Sequence, residues 1–320
     1  MTVSFKLSAV SVLCAATLIS LSSPAAARET SHAATAAPAF YRLEVGDYKV
    51  TVVWDGTAAR QLDAIMSKPD EVRSVFTQDH QALPAPVSIN TFLVDTGSKR
   101  VLVDSGAGEL IGPQSGHQVE NLRASGWQPE KIDAVLLTHL HPDHFGGLSH
   151  GGQRIFPNAV LYINKADADY WLNEATAAAA PAARAKMFQQ AHAAIQPYAA
   201  AGKLQTFSAP AELFPGVHAI LEPGHTSGHT GYRVENKGSQ LLIWGDIIHS
   251  AEVQFDDPEV TIQFDTNPTD AAATREKVLK DAAEHGYLVA GNHISFPGLG
   301  HVKSSGGHYS WISLPYDPLR

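Results

Sequence analysis

Alternating apolar and polar residues predict two β-hairpins in the first third of the chain. Residues 41–54 alternate on either side of a Gly46-Asp47 turn, and residues 88–104 do so around a turn at 95–99. Because the side chains of a strand alternate between its two faces, each hairpin can bury one face and expose the other. Residues 57–86 lack this pattern, so we expect them to be irregular or weakly helical.

Short, wholly apolar runs predict strands that are buried on both faces. They are followed along the chain by segments with the composition of helices, and the alternation of the two indicates an α/β domain. The predicted strands are 132–137, 159–163, 240–244 and 288–290, and the predicted helices are 119–125, 164–201 (interrupted at Pro181) and 271–285. We expect residues 40–320 to form one domain.

The stretch that follows the strand at 132–137 carries the strongest chemical signal. Residues 138–147 read T-H-L-H-P-D-H-F-G-G, which places His139, His141, Asp143 and His144 within six positions. Histidine and aspartate are ligands for zinc and similar divalent metals. A histidine-rich surface loop is the alternative, but four ligand-type side chains at this spacing favour a metal centre.

Three further ligand-type residues lie at the ends of other predicted strands. His225 lies in the loop G-H-T-S-G-H, Asp246 follows the apolar run 241–244, and His293 follows the run 288–290. One loop offers too few ligands for two metals, and these residues would complete such a site.

The motif H-x-H-x-D-H after an apolar strand resembles the signature of the metallo-β-lactamase superfamily, and 224–229 is similar to its G-H-T-x-G-H motif. Longer stretches resemble the methyl parathion hydrolase branch, among them V-D-T-G-S-K at 94–99, V-Q-F-D-D-P at 253–258 and S-F-P-G-L-G-H at 295–301. The resemblance runs from about residue 41 to the C-terminus. It implies an αβ/βα sandwich, in which two mixed sheets stack and helices cover their outer faces.

The resemblance also implies the ligand sets. One divalent metal would be held by His139, His141 and His225, and a second by Asp143, His144 and His293. Asp246 would bind both metals and act in catalysis, and zinc is the first candidate for both positions. His229 would be structural, bonding the backbone.

Five other residues are candidates for supporting roles, each with a plainer alternative. Asp104 either supports the metal site through a histidine or ends a strand as a turn residue. Trp171 and Phe188 match aromatic pocket positions of the branch, or they belong to the core of a helix. His249, like His301, either touches substrate or has a structural role.

The implied chemistry is hydrolysis by a hydroxide that bridges two metals, with no side-chain nucleophile. We first expect an esterase or phosphotriesterase acting on apolar aryl substrates. A lactonase, including one for acyl-homoserine lactones, is the alternative, and a metal-binding protein without turnover is the third. Without Cys14 the mature chain has no cysteine, which argues against β-lactamases with a cysteine ligand.

Residues 1–27 are typical of a secretory signal peptide. Lys6 precedes an apolar core at 7–21, and Ala25-Ala26-Ala27 offers a cleavage site after Ala27. A membrane anchor is the alternative, but fifteen apolar-biased residues are too few to span a bilayer comfortably. We therefore expect a periplasmic or secreted protein, with residues 28–39 as a linker.

Charge and hydropathy narrow the choice of partners. The formal net charge is −9, and without a basic run such a chain repels nucleic acid. No long apolar stretch follows the signal peptide, so no membrane contact is expected after its removal. The expected partner is a small ester, phosphotriester or lactone, and the resemblance implies a homodimer.

Overall fold

The computed structural model describes residues 1–4 and 39–317. The chain divides between Ala37 and Pro38, and the fold lies in the unit after that point. The signal peptide predicted at 1–27 and the linker at 28–39 fall almost wholly outside the described residues, so both stay predictions. In the described part, no helix is both long enough and apolar enough to cross a bilayer.

Two seven-stranded sheets and a short two-stranded ribbon contain the strands. In chain order, the strands are β1 (Phe40–Val45), β2 (Tyr48–Arg60), β3 (Ala85–Asp95), β4 (Arg100–Val103), β5 (Ala134–Leu136), β6 (Ser149–His150), β7 (Gln153–Arg154), β8 (Val160–Asn164), β9 (Leu204–Phe207), β10 (Ala211–Phe214), β11 (Val217–Leu221), β12 (Thr230–Asn236), β13 (Ser239–Ile243), β14 (Leu288–Ala290), β15 (Leu299–Ser305) and β16 (His308–Ser313). The first sheet has the order β1-β2-β3-β4-β5-β8-β9, the second runs from β10 to β16 in sequence order, and β6 pairs with β7.

The α-helices lie between these strands. They are α1 (Leu62–Ile65), α2 (Pro69–Gln78), α3 (Gln118–Ala124), α4 (Pro142–Phe145), α5 (Lys165–Trp171), α6 (Glu174–Ala179), α7 (Ala182–Ala200), α8 (Ala251–Gln254) and α9 (Pro268–His285). A single 3₁₀ turn, Pro129–Lys131, leads towards β5.

Alternate residues of the central strands serve two different cores. Leu136 of β5 packs with Leu241 and Ile243 of β13 in a core between the sheets. Val135, the neighbour of Leu136, belongs to a core that includes residues of α3, α5 and α7. On the second sheet, Leu242 packs with residues of α9. Both sheets contain parallel and antiparallel pairs, so the predicted sandwich of two mixed sheets with outer helices is confirmed.

The two predicted hairpins are present, but the first is longer than expected. β1 pairs with β2 across the Gly46-Asp47 turn, and β3 pairs with β4 as predicted. β2, however, continues to Arg60 beyond a bulge between Trp54 and Gly56, still paired with β3. The expectation of an irregular or weakly helical segment at 57–86 was therefore wrong for 57–60 and 85–86, which belong to β2 and β3. The helices α1 and α2 agree with it.

The structure also refines the second half of the prediction. The helical segment at 164–201 consists of three helices, and Pro181 is the residue before the first turn of α7. The sequence pattern assigned no strands to β9–β12 or to β15 and β16. Several of these strands are half-buried or exposed, so they lack the apolar runs that mark β5 and β13.

Candidate metal centre

The predicted ligand stretch turns sharply at the end of β5. His139 and His141 precede α4, and Asp143 and His144 lie within this single helical turn. Pro142 occupies its first position, where a missing N–H costs nothing. The segment from His139 to His144 thus presents four ligand-type side chains at the carboxyl end of a fully buried strand.

Four of the predicted ligands form a first group of donor atoms. His141 Nδ1 lies 3.0 Å from His139 Nε2 and 2.9 Å from His225 Nε2. Asp246 Oδ2 lies 3.6 Å from His139 Nε2 and 3.2 Å from His225 Nε2. Loops at the ends of β5, β11 and β13 therefore converge on one point.

The other three predicted ligands form a second group beside it. His144 Nε2 lies 3.9 Å from Asp143 Oδ1, and His293 Nε2 lies 3.8 Å from Asp143 Oδ2. Asp246 touches this group too, with Oδ1 3.1 Å from His144 Nε2 and Oδ2 3.2 Å from His293 Nε2. One carboxylate therefore lies between both groups.

The donor set has the chemistry and spacing that a divalent cation requires. Each group could hold a metal ion, with its ligand atoms within 4.8 Å of one another. Four donors at ~2.0–2.1 Å around a tetrahedral zinc lie about 3.3 Å apart, close to the spacing seen here. Moreover, His144 Nε2 and Asp246 Oδ1 are buried and have no hydrogen-bond partner among the described residues. Buried polar atoms normally have partners, and a cation between them would supply one.

The electrostatics of the cluster favour binding of cations. Burial lowers the pKa of His139 and His141 well below the usual value, so both rings are neutral. Burial alone would raise the pKa of Asp246, but the surrounding histidines, His144 first, hold it well below its usual range. Burial alone would lower the pKa of His144, His225 and His293 too, but nearby carboxylates, Asp246 foremost, raise it, that of His225 to about 9. These three rings thus hold protons that a metal ion would displace on binding, and the same negative charge favours a bound cation in their place.

Hydrogen bonds on the far ring nitrogens fix how the histidines face the cluster. His293 Nδ1 lies 2.8 Å from the carbonyl oxygen of Ser88, which can only accept. His144 Nδ1 lies 2.9 Å from Asp104 Oδ2, and His225 Nδ1 lies 2.8 Å from Asp265 Oδ1. Each of these oxygens thus holds a proton on Nδ1, and Nε2 is the nitrogen that each ring directs towards the metal groups.

Asp104 lies where the resemblance implies a supporting residue. It directly follows β4, is fully buried and has a positive φ of 59°. Besides His144, its carboxylate accepts hydrogen bonds from the Thr138 hydroxyl, at 2.9 Å, and from Asn292 Nδ2, at 2.8 Å. Since the Thr138 hydroxyl also lies 3.0 Å from His139 Nδ1, Asp104 orients two of the predicted ligands.

Two residues that the sequence analysis missed hold the ligand loops in place. Asp265 supports His225 as described above. Asp167 of α5 accepts hydrogen bonds from Leu140 N at 3.0 Å, Thr226 Oγ1 at 2.9 Å and Gly228 N at 2.7 Å. It therefore joins the loop after β5 to the loop that carries His225. No local signal assigned a role to either aspartate.

His229 has the structural geometry expected for it. Its Nδ1 lies 2.9 Å from the carbonyl oxygen of Glu222, and its Nε2 accepts a hydrogen bond from Asp246 N at 2.9 Å. It thus positions the backbone of Asp246.

An apolar pocket of about 200 Å³ opens onto the two groups. Several predicted ligands form its polar side, and Arg60 is the one arginine or lysine among the described residues that line it. The apolar lining consists of Ala58, Leu62, Val87, Ile111, Pro142, Met187, Ile262 and Phe264. The pocket suits a substrate with a substantial apolar part.

The remaining candidates lie at different depths. Trp171 and Phe188 are each 1% exposed and belong to the core. Trp171 packs edge-on against the His141 ring, with centroids 5.5 Å apart, and Phe188 lies behind Trp171. His249 does line the pocket, with Nε2 3.2 Å from Asp246 Oδ2. His301 lies against the carbonyls of Gly286 and Tyr287 and lines a separate cavity.

The chain belongs to the metallo-β-lactamase superfamily. The sequence profile of this family matches residues 84–291, a span that includes six of the seven predicted ligands. This confirms the superfamily prediction and makes the protein a metal-dependent hydrolase by class. The resemblance to the methyl parathion hydrolase branch stays a prediction.

Solved structures agree over nearly the whole fold. The hydrolase AbOPH of the β-lactamase superfamily is 35% identical, with a TM-score of 0.84 over 88% of this chain and 99% of that one. AidC, described as a dizinc quorum-quenching lactonase and solved with N-hexanoyl-L-homoserine, is 25% identical, with a TM-score of 0.80 over 87% and 98%.

Similarity to curated proteins is more local. An atrochrysone carboxyl ACP thioesterase of Aspergillus fumigatus is 44% identical over 70 residues, 21% of this chain and 20% of the relative. The chain thus matches about a fifth of the length of the first such relatives.

Proposed function

We propose that this protein hydrolyses carboxylic esters of apolar compounds, lactones included, with two divalent cations in the cluster. The observation that carries the proposal is the pair of donor groups on either side of Asp246, which contacts both, beside an apolar pocket. AidC, a dizinc lactonase by description, shares the fold across almost its full length and supports lactones as substrates. Phosphotriesters remain the second candidate, supported by the stretches that resemble methyl parathion hydrolase.

The chain's own residues have separable roles in this proposal. His139, His141 and His225 would hold one cation and Asp143, His144 and His293 the other, with Asp246 between them. Bound there, the cations would provide a nucleophile from water near neutral pH and a Lewis acid for the carbonyl oxygen. Asp246 would also take the proton that the attacking water loses. The apolar lining would hold the acyl or aryl group and keep bulk water away.

Export to the periplasm or the medium, with cleavage after Ala27, is part of the same proposal. N-terminal sequencing of protein from each compartment tests it, and an intact N-terminus in the cytoplasm contradicts it.

The first experiment combines metal analysis with a substrate panel. The protein is loaded with zinc, its metal content is measured, and it is assayed with a long-chain lactone, an aryl ester and an aryl phosphotriester. Two metals per chain with lactone or ester turnover support the proposal, and a preference for the phosphotriester supports the second candidate. Two metals without any turnover leave a metal-binding protein, and fewer than two contradict the shared site.

Asp246→Asn tests the shared carboxylate. Even indirect partners of metal ligands are worth ~10–100-fold in activity or metal affinity, so losing a shared ligand should lower kcat by at least about 100-fold. Metal content should fall as well. Asp79→Asn, at an exposed position, is the matched control, and an unchanged rate in Asp246→Asn contradicts the assignment.

A further inference from the structure

Arg60 places a guanidinium group in the lining of the pocket, next to the metal groups. It is the last residue of β2, in the extension of the strand beyond its bulge. Ala58, two positions earlier, also lines the pocket, as expected for side chains on one face of a strand. The bulge and the unexpected length of β2 thus bring Arg60 beside the metal groups.

The guanidinium has weak contacts and free hydrogen-bonding capacity. Its Nη2 lies 3.9 Å from Asp143 Oδ2, and its Cζ lies 5.6 Å from the centre of the Phe264 ring. A strong arginine–carboxylate pair has N···O distances of ~2.7–2.9 Å, so the contact with Asp143 is not a hydrogen bond. Within residues 39–317, no other group forms an ion pair or a hydrogen bond with the Arg60 side chain, which is 27% exposed.

This placement is significant for the proposed reaction, on which the inference rests. Water adds to the acyl carbon of an ester or lactone, the bond from that carbon to the alcohol oxygen breaks, and the alcohol oxygen takes a proton. The acid product then loses a proton and becomes a carboxylate. A neutral substrate is therefore converted into an anion beside a guanidinium whose side-chain donors form no hydrogen bond within residues 39–317. Arginine is the side chain best suited to bind a carboxylate through two hydrogen bonds.

We propose that Arg60 binds the carboxylate produced by hydrolysis. The pocket should therefore bind apolar carboxylic acids more tightly than neutral compounds of the same shape. Asp143 keeps the guanidinium near the metal groups without consuming its donors, and Phe264 supports its flat face.

Calorimetry on the zinc-loaded protein tests the inference without any turnover. Hexanoate and hexanamide, its neutral analogue, are titrated into the wild type, Arg60→Met, Arg60→Lys and the control Arg123→Met, whose arginine is exposed on α3. A hydrogen bond to a charged group strengthens binding by about 10-fold or more, so Arg60→Met should raise the Kd of hexanoate by at least that factor. The Kd of hexanamide should not change, Arg60→Lys should be intermediate, and Arg123→Met should match the wild type.

Other outcomes overturn the inference. An unchanged hexanoate Kd in Arg60→Met would mean that the cations alone bind the acid. Equal weakening of both ligands would mean that Arg60 only shapes the pocket. Arg60→Met could lose zinc while Arg60→Lys keeps normal zinc content and normal selectivity for hexanoate. That result would mean that Arg60 only balances the charge of Asp143.

Kinetics separate this inference from the proposed function. If the wild type hydrolyses esters but Arg60→Met shows undiminished inhibition by hexanoate, only the inference fails. If no ester or lactone is hydrolysed, while selective hexanoate binding still depends on Arg60, the proposed function fails and the anion site remains.

Discussion

At the scale of single residues, the partner of each ring matters as much as the ring itself. His144, His225 and His293 each have the far nitrogen held by an oxygen atom, in Asp104, Asp265 and Ser88. Such partners fix the tautomer and the orientation of a ligand. Of the three, only Asp104 was suggested by the sequence, because it ends a strand at a position with a counterpart in the superfamily.

Asp104→Asn is the sharpest test of these hydrogen-bond partners of the ligand histidines. Asparagine tolerates the positive φ at this position, so the backbone is preserved while the charge and one acceptor are lost. We expect metal affinity about 10–100-fold weaker, measured by competition with a chromogenic chelator. Asp133→Asn is the control. The Asp133 carboxylate accepts a hydrogen bond from Arg100 N, but it lies before β5 and is bonded to no predicted ligand. Equal effects in both variants would mean that Asp104 merely ends its strand.

Glu222 predicts a pH dependence of stability. Its side chain is buried, Oε2 has no hydrogen-bond partner among the described residues, and burial raises its pKa well above the usual value, against the opposing charge of Lys277. The folded protein therefore keeps this proton as pH rises, whereas the unfolded chain releases it above about pH 4.3. The contribution of Glu222 to stability is thus present at low pH and is lost as pH rises towards the folded pKa.

Glu222→Gln is neutral at every pH, so its stability relative to that of the wild type should increase as pH rises. We expect similar Tm values near pH 4 and a Tm higher by about 2–4 °C near pH 8, a shift that corresponds to ~1 kcal/mol. Scanning calorimetry across that range measures both, with the exposed Glu130→Gln as control. A lower Tm for Glu222→Gln at high pH would show that the carboxylate is charged and paired.

At the scale of elements, the site depends on how closely α4 packs against the segment after β4. A Cβ at Gly146, which follows α4, would lie 2.0 Å from the carbonyl oxygen of Ala107. Ser105 N also donates to the carbonyl oxygen of His144 at 2.8 Å. The glycines of the ligand stretch therefore let the turn that carries Asp143 and His144 lie directly on this segment.

Gly146→Ala should push that turn away from the cluster. Gly146 has an ordinary helical φ of −62°, so only the lack of space opposes alanine. We expect a lower Tm and a metal content below that of the wild type, measured by elemental analysis. Gly97→Ala is the contrasting case: it has open space but a φ of 82°, so its cost is conformational, and both metals should be retained. Full metal content in Gly146→Ala would show that the turn can move without harm.

The elements that the sequence predicted well are those that are buried or locally paired. β5 and β13 carry continuous apolar runs, and the hairpins β1–β2 and β3–β4 carry their own turns. The extension of β2 to Arg60 has no such signal, since its pairing depends on β3 about 25 positions later. The same reason hides Asp167 and Asp265, whose partners are distant in sequence.

At the scale of the whole molecule, the cluster joins the two sheets. His139, His141, Asp143 and His144 follow β5 of the first sheet, and His225, Asp246 and His293 come from the second. Ions bound there would link the halves of the sandwich, and a ligand that binds only the folded state stabilises it.

Chelation should therefore destabilise the entire fold. At a metal concentration about 1,000 times Kd the stabilisation is ~4 kcal/mol, and each kcal/mol shifts Tm by about 2–4 °C. We expect a fall in Tm of roughly 5–15 °C with chelator and recovery when zinc is restored, followed by circular dichroism. The Tm of Asp246→Asn should fall less than that of the wild type. A wild-type Tm that does not change with chelator would contradict a metal at this position.

The order of the sheets along the chain has a consequence for biosynthesis. The first sheet is complete at Phe207 and the second begins at Ala211, so the chain passes from one to the other only once. A ribosome that has made the first sheet has produced four of the seven proposed ligands and not yet Asp246. His293, which follows β14, is the last of the seven along the chain. The complete site therefore cannot exist while only the first sheet has been made, and a full set of cations has to wait for most of the second sheet.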